Sequence, residues 1–534
     1  MRPPRGVTPA QEHDSKDVSP QASGAHPPPA HKPQPRRLLH LLHIYLSILL
    51  LFVNYFLAQY DKFILSYFRP QVQASLGLTE AQYGLISGYA TGIVYALLAL
   101  PIALVADYTS ARVWTLSVAA TWWSLCVVFQ GLANDFGQLF CARIGMGIGQ
   151  AAVEALSISL ISDLVAWRNV FLGTSVLYVG VYVGEAVSGQ IANAFTETGT
   201  SWQVAMRAIG ITGIVVAVLL RLVLREPTRR EAIVVLGGRP GAWDAASSEI
   251  GAGVGPVPGS TARKRRSIRT AKADLLSTGA YIMRMHSFWL LLLSAAMRQL
   301  AGNTFGFYMP GYLSTLYQDT TNLLSRYGLI VGIVGSVTVL FGGLLTSLLW
   351  NRTKLTPVYL TAVGGMVSSV FVLIMVFSRD LAGDDESRGV QILYGAMAAA
   401  YATAELWLGC LFALIALLLP PDYKTFGLAI WTSVQVLVYS SGPEAMGLAL
   451  RNEDPASPGY ITATRNSLAV IITLGYWACG IGLLSAIPLL KRDLRMEFVE
   501  GRLSVRRRMA FGGFVVAVVC LVIILFTMSL VYAV

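Results

Sequence analysis

With 534 residues, 54% of them hydrophobic and only 13% charged, at a mean hydropathy of +0.58, the chain is excluded from the water-soluble class, where about a quarter of residues carry charge. Its net charge of +11 does not indicate nucleic acid as a partner, because the basic residues gather in alternate loops between apolar runs. The five cysteines are widely spaced within apolar runs, and the histidines lie in the first 43 residues or at His286. That leaves no disulfide framework, no metal-ligand cluster and no need for a cofactor.

Residues 1–36, with Pro27-Pro-Pro29 and Pro33-Gln-Pro35, read as a disordered cytoplasmic tail with no signal peptide. Apolar runs of about 20 residues, enough for a ~30 Å hydrocarbon core, then recur along the chain. Six are expected near 38–68, 80–106, 112–132, 136–165, 169–195 and 203–224. A polar cytoplasmic connector over 226–286 contains Arg263-Lys-Arg-Arg266, and its stretch Ser267 to Leu276 reads as a helix on the membrane surface. Six more spans follow near 287–315, 324–349, 356–378, 390–419, 424–449 and 461–490, and a thirteenth occupies 509–533 after the basic Arg506-Arg-Arg508. The fold class predicted is an all-α polytopic membrane protein with two six-helix pseudo-repeat halves around a central cavity. The N-terminal bundle covers 37–225 and the C-terminal bundle 287–490; residues 491–534 form a basic linker and an extra transmembrane helix.

Arg112, Arg168, the connector, Arg352 with Lys354, Lys424, and Lys491 through Arg508 all fall on one side of these spans. The opposite loops are near neutral or acidic, as in Asp384-Asp-Glu386, which predicts a cytoplasmic N-terminus and an affinity of the basic loops for anionic membrane lipids. Two correspondences point to duplication. Ala103-Leu-Val-Ala-Asp107 with Arg112 matches Gly343-Leu-Leu-Thr-Ser347 with Arg352 at an offset of 240 residues, and Gly184-Glu185-Ala186 matches Gly442-Pro-Glu444-Ala445.

Charges inside spans are the functional candidates, because each costs about 2.5–3.5 kcal/mol at bilayer depth. In span four, Arg143, Gln150, Glu154 and Ser157 fall within roughly 40° of one line and make a polar stripe. Asp61 and Arg143 each lie about 10 Å deep at 1.5 Å per residue, so they can meet if spans one and four adjoin. Such a pair serves either as a structural latch or in substrate binding and coupling. Glu154 has the better claim to exchange a proton, against a plain hydrogen bond to a neighbouring helix. Arg298 in span seven and Glu405 in span ten repeat the arrangement with acid and base exchanged. Arg298 is placed to bind an anionic group or to neutralise Glu405. Glycines such as Gly145, Gly147 and Gly149 serve close helix packing, and Trp122, Trp123 and Tyr439 are expected to pack or to sit at the interface.

These motifs resemble the major facilitator superfamily. Arg143-x-x-x-Gly147-x-Gly149 matches that family's fourth-helix motif, and Gly180-x-x-x-Gly184-Glu185-Ala-Val-Ser-Gly189 is similar to its fifth-helix motif, with Glu185 where proline is usual. The loop after span two keeps Asp107 and Arg112 but has Tyr108 and Ser110 at its central basic and glycine positions. That departure weakens the gating role the resemblance implies and leaves Asp107 a local cap or pair. Glu185 and Glu444 fall on helices that flank the interface between halves in the resembled fold, which implies gating or packing. Asn54-Tyr55, Tyr60-Asp61-Lys62-Phe63, Gly147-Ile-Gly-Gln150-Ala151 and Ser159-Leu-Ile-Ser-Asp163 resemble the Spinster-like branch, with Gln150 where that branch usually has glutamate. The resemblance implies alternating access and a lysophospholipid or sphingoid-lipid substrate, with protons as a coupling partner; a small polar organic solute is the alternative. No Walker A pattern supports ATP-driven pumping. An enzyme is not expected, since the short loops lack histidine and the acids are spread in depth, while a sensor that binds without flux stays open.

Overall fold

The computed structural model describes residues 35–151, 153–165, 169–227, 279–317, 320–383, 385–419, 424–450, 457–494 and 505–533. The expected tail, most of the connector, and Arg168 lie outside the described residues. All regular structure among those described is helical. The first half comprises α1 (Pro35–Tyr67), α2 (Arg69–Leu76), α3 (Glu80–Ser87), α4 (Tyr89–Thr109), α5 (Arg112–Gln130), α6 (Phe136–Gln150), α7 (Val153–Leu164), α8 (Val170–Glu197) and α9 (Trp202–Val223). The second comprises α10 (His286–Leu316), α11 (Thr320–Ile330), a π-helical segment (Val331–Gly335), α12 (Ser336–Leu349), α13 (Thr356–Val376), α14 (Ser378–Ala382), α15 (Glu386–Ala404), α16 (Leu408–Leu418), α17 (Lys424–Leu450) and α18 (Pro458–Asp493). A last helix, α19 (Val505–Ala533), covers the thirteenth expected span and packs against α3 and α4.

Ten helical stretches among the described residues are long and apolar enough to cross a membrane. α10 and α17 have the length but carry Arg298, Gln299, Asn303 and Lys424, Gln435, Glu444, so they fall short on apolarity. The outward faces are those of a chain solvated by hydrocarbon: Ile211, Val215, Val218 and Leu222 on α9, and Val470, Leu474, Trp477 and Ile481 on α18, are all exposed.

Helix starts follow the alternation of the spans. α3 opens with a capping box in which the Thr79 side chain accepts from the Gln82 backbone and Gln82 accepts from Thr79. Asp135, Asp385 and Ser457 cap α6, α15 and α18 in the same way. All four caps open spans two, four, ten and twelve, and so share one membrane face. The helix-start charge at a fifth place, the N-terminus of α17, is on the other face, which also holds Arg112, Arg352 and Lys424; we call it the basic face and its opposite the far face.

The two halves meet along two seams, α3, α4 and α7 against α17, and α8 against α11, the π segment, α12 and α16, with α7 also touching α16. Lipid supplies no hydrophobic drive between helices, so close approach rests on small residues. A Cβ at Gly88 would stand 2.7 Å from the Ser440 carbonyl, and one at Gly332 would stand 2.6 Å from the Ala186 Cβ. The tenth span is interrupted between Ala404 and Leu408, where Gly342 and Gly364 lie against the carbonyls of Leu406 and Thr403. Interrupted helices at mid-membrane free backbone groups and are typical of transporter sites.

Candidate functional site

A central cavity lies between the halves, enclosing about 1070 Å³ of empty space with its mouths included. Its wall takes Lys62 from α1, Glu154 from α7, Glu185 from α8, Arg298 from α10 and Glu405 from the break in the tenth span. A second lobe opens inside the first half against α17. It shares Tyr55, Gln59, Lys62, Glu154 and Tyr439 with the first and adds Arg143, Gln150, Thr91 and Ser440. Glu154 lies in the first turn of α7 and Glu405 within the break of the tenth span.

The hydrogen bonding of these acids is specific. Glu154 Oε1 accepts from the hydroxyls of Tyr178 at 2.5 Å and Tyr55 at 3.3 Å. Glu405 Oε2 accepts from Tyr182 at 2.6 Å, while its Oε1 lies 3.6 Å from Arg298 Nη2. Arg298 donates Nη2 to the Ala404 carbonyl at 2.6 Å and lies over the rings of Trp407 and Tyr476, at 5.0 and 4.6 Å. Its Nε and Nη1 have no hydrogen-bond partner. Lys62 sits over Tyr439 at 4.7 Å and has no carboxylate within 4.0 Å among the described residues. The Glu185 Oε1 is buried without a partner.

Asp61 and Arg143 do not form the direct pair that the sequence allowed. Asp61 Oδ2 instead accepts from Trp123 Nε1 at 3.1 Å, and Arg143 Nε and Nη2 are buried without partners. Helix register explains the gap. Gln150 Nε2 reaches the Ala58 carbonyl at 3.4 Å, which fixes how α1 and α6 run past each other. From that contact Asp61 lies three residues toward the far face and Arg143 seven, a difference in depth of about 6 Å. Gly149, packed on Trp123, brings α5 close enough for its indole to take the Asp61 oxygen. Trp123 and Tyr439, expected as packing residues, therefore both touch site groups.

Gly180, Gly184 and Gly189 face α1, lying against Phe56, Tyr60 and Tyr67, so they pack within the first half and not across the seam. The opposite side of α8 makes the seam: Tyr182, Ala186 and Gln190, spaced four apart, meet Gly335, Gly332 and Ser325. Gly442 lies likewise against Thr304 of α10, the second-half counterpart of the Gly184 contact with α1. Glu185 lines the cavity, whereas Glu444 is buried on α17 and lines neither lobe.

Polar clusters tie the halves together beyond both ends of the cavity. On the basic face, Asp107 Oδ2 accepts from the Phe426 backbone N–H at 2.8 Å, capping α17 of the other half. Buried Asp163 accepts from Arg112 at 2.7 Å and from Lys424 at 2.9 Å, and Arg112 also bonds Glu226 at 2.6 Å. On the far face, Arg69 pairs with Glu80 and lies over Tyr83 of the first half and Tyr308 of the second, at 4.7 and 5.3 Å. Its Nη2 also reaches the Tyr460 hydroxyl at 3.4 Å. Lys62, Tyr178, Tyr182 and Arg69 were not singled out as site residues in the sequence. A lysine at mid-span beside Asp61 was a usable signal for Lys62; tyrosines carry no such mark.

The family model of the Major Facilitator Superfamily matches residues 51–443. Over 295 residues the chain is 23% identical to the probable L-galactonate transporter of Escherichia coli (strain K12), covering 54% of this chain and 59% of that protein. Over 279 residues it is 22% identical to the sphingosine-1-phosphate transporter SPNS2 of Danio rerio, 49% of each chain. The matched stretches thus span less than two thirds of either relative. Among solved structures, a bacterial homolog of the human lysosomal transporter Spinster, inward-facing, superposes with a TM-score of 0.59 at 19% identity, over 86% of this chain and 99% of that one.

Proposed function

The chain belongs to the Major Facilitator Superfamily, and from that premise we propose that it carries an organic anion across the membrane by alternating access, as a secondary or facilitative transporter. The observation that carries this reading is the Lys62 ammonium, set in the wall shared by both lobes with no carboxylate within 4.0 Å among the described residues, so that Glu154 and Glu185 act on it only through space. A cation in a low-dielectric cavity without a directly bonded counter-ion is costly, and a substrate anion can complete it. Arg298, with two donors unpartnered, supplies a second positive group in the same cavity. The clusters at Asp107–Asp163–Lys424 and at Arg69–Tyr308 are the contacts that would open in turn. Glu154, bonded by two tyrosines in the first turn of α7, is the group proposed to exchange a coupling proton, and the basic face is proposed as cytoplasmic.

An anionic amphiphile such as a lysophospholipid or a sphingoid phosphate fits the aromatic side chains in the wall, among them Tyr55, Phe63, Phe305, Trp407 and Tyr439. A second reading, a polyhydroxylated acid, draws on the amide side chains Gln59, Gln299, Asn303 and Gln435 in the same wall. Uptake of labelled sphingosine 1-phosphate and L-galactonate into proteoliposomes, with and without an imposed pH gradient, separates them. Flux of one selects the substrate class, and its response to the gradient tests coupling. Flux of neither overturns the anion reading.

A further inference from the structure

On α8, Tyr178, Tyr182 and Glu185 follow at i, i+4 and i+7 and share one helix face. Tyr178 holds the acid of its own half, and Tyr182 crosses the seam to the acid of the other. The Tyr182 contact has a dedicated seat. Its ring lies against the π-helical segment Val331–Gly335, where a Cβ at Gly335 would stand 2.3 Å from the ring. Such π segments within α-helices collect at functional sites.

Glu405 has two competing neighbours. Its Oε2 takes the Tyr182 hydroxyl at 2.6 Å, and its Oε1 stays 3.6 Å from Arg298 Nη2, beyond hydrogen-bond range. Arg298 meanwhile spends Nη2 on the Ala404 carbonyl and keeps Nε and Nη1 unpartnered, although only 2% of the residue is exposed. A carboxylate released beside a guanidinium in low dielectric would close on it with paired hydrogen bonds.

We propose that Tyr182 is a specificity-determining positioning residue: its hydroxyl holds Glu405 at ion-pair distance from Arg298 without a hydrogen bond between them, so that the guanidinium keeps its two unpartnered donors for the carboxylate or phosphate of the substrate. The inference rests on the reading of the cavity as an organic-anion site and adds what keeps that site positive. Because Tyr182 belongs to the first half and Arg298 to the second, anion affinity is also tied to closure of the α8 seam. When the seam parts, Glu405 is freed to close on the Arg298 donors and the anion is released.

The test uses the full chain in proteoliposomes with L-galactonate and sphingosine 1-phosphate as probes. Tyr182→Phe keeps the ring in its seat and removes the hydroxyl. KM for the anion carried by the wild type should rise about tenfold or more, the scale of a charge-assisted hydrogen bond lost to Glu405, with kcat little changed. The double variant Tyr182→Phe/Glu405→Gln should bring KM back near the wild-type value, since a neutral amide cannot cancel the guanidinium. A packing role would lower folded protein and kcat, and removing a charge elsewhere would not reverse it. An unchanged KM in Tyr182→Phe, or a rise the double variant leaves in place, overturns the inference while the anion reading stands. Carriage of neither anion by the wild type overturns the anion reading and this inference together.

Discussion

Lys424→Gln tests whether the basic-face cluster is a gate. Lys424 Nζ donates to Asp163 Oδ1 at 2.9 Å and to Ser162 Oγ at 3.0 Å, both across the seam, while Asp163 keeps Arg112 within its own half. The substitution therefore removes a cross-half contact without stranding Asp163. A hydrogen bond to a charged group contributes about 1.5–3 kcal/mol net, and the glutamine amide can recover part of it, so the closed state should lose about 2 kcal/mol. At about 1.4 kcal/mol per factor of ten, that shifts the opening equilibrium at this face by about 30-fold. The readout is the rate at which a membrane-impermeant maleimide, applied from the basic face, labels Thr432→Cys in the cavity wall of a chain otherwise free of cysteine. A rise near that size with little change in the detergent melting temperature fits a gate. An unchanged rate with a lowered melting temperature would show that Lys424 only holds the fold together.

Arg69→Met should raise labelling of the same cysteine from the far face, because the Glu80 pair and the Tyr460 contact are lost together; no change would mean that the tyrosine packing alone keeps that end shut. Asp61→Asn keeps an oxygen acceptor for Trp123 Nε1, so melting should move by less than about 1 kcal/mol while transport stops. Collapse of the folded protein would instead make Asp61 a structural latch. Glu154→Gln also keeps its acceptor for Tyr178 and should flatten the pH dependence of flux, and a pH profile like that of the wild type would remove Glu154 from coupling.

Span positions were legible because hydrocarbon thickness imposes a length on each apolar run, and the observed helices fall on all thirteen expected stretches. Charges at mid-span were legible for the same reason: at that depth they are exceptional. What could not be read was who faces whom. Asp61 and Arg143 share a nominal depth, but the pass between α1 and α6 is fixed by one contact, Gln150 on Ala58, and displaces them by about 6 Å along the helices. Asp107 looked like a local cap because its loop had lost the central basic and glycine positions of the family pattern. It also takes a backbone N–H over 300 residues away, and no local pattern encodes that. Tyr182 is silent in sequence, because tyrosine in a membrane helix usually reports only packing or the interface.

The repeat explains why the two cavity acids are handled differently. Glu154 and Glu405 sit in the fourth and tenth spans, which correspond in the two halves, and a strictly symmetric molecule would give each a hydroxyl from its own half. Here both hydroxyls come from α8, one turn apart, so the second half has ceded control of its acid to the first. Glu154 keeps its tyrosines whatever the halves do, which suits a group that must change protonation on a fixed scaffold. Glu405 keeps its tyrosine only while the α8 seam is closed. A motion that parts that seam changes the environment of one acid and leaves the other intact. The asymmetry therefore supports the proposed division, with proton exchange on the Glu154 side and substrate retention on the Arg298–Glu405 side.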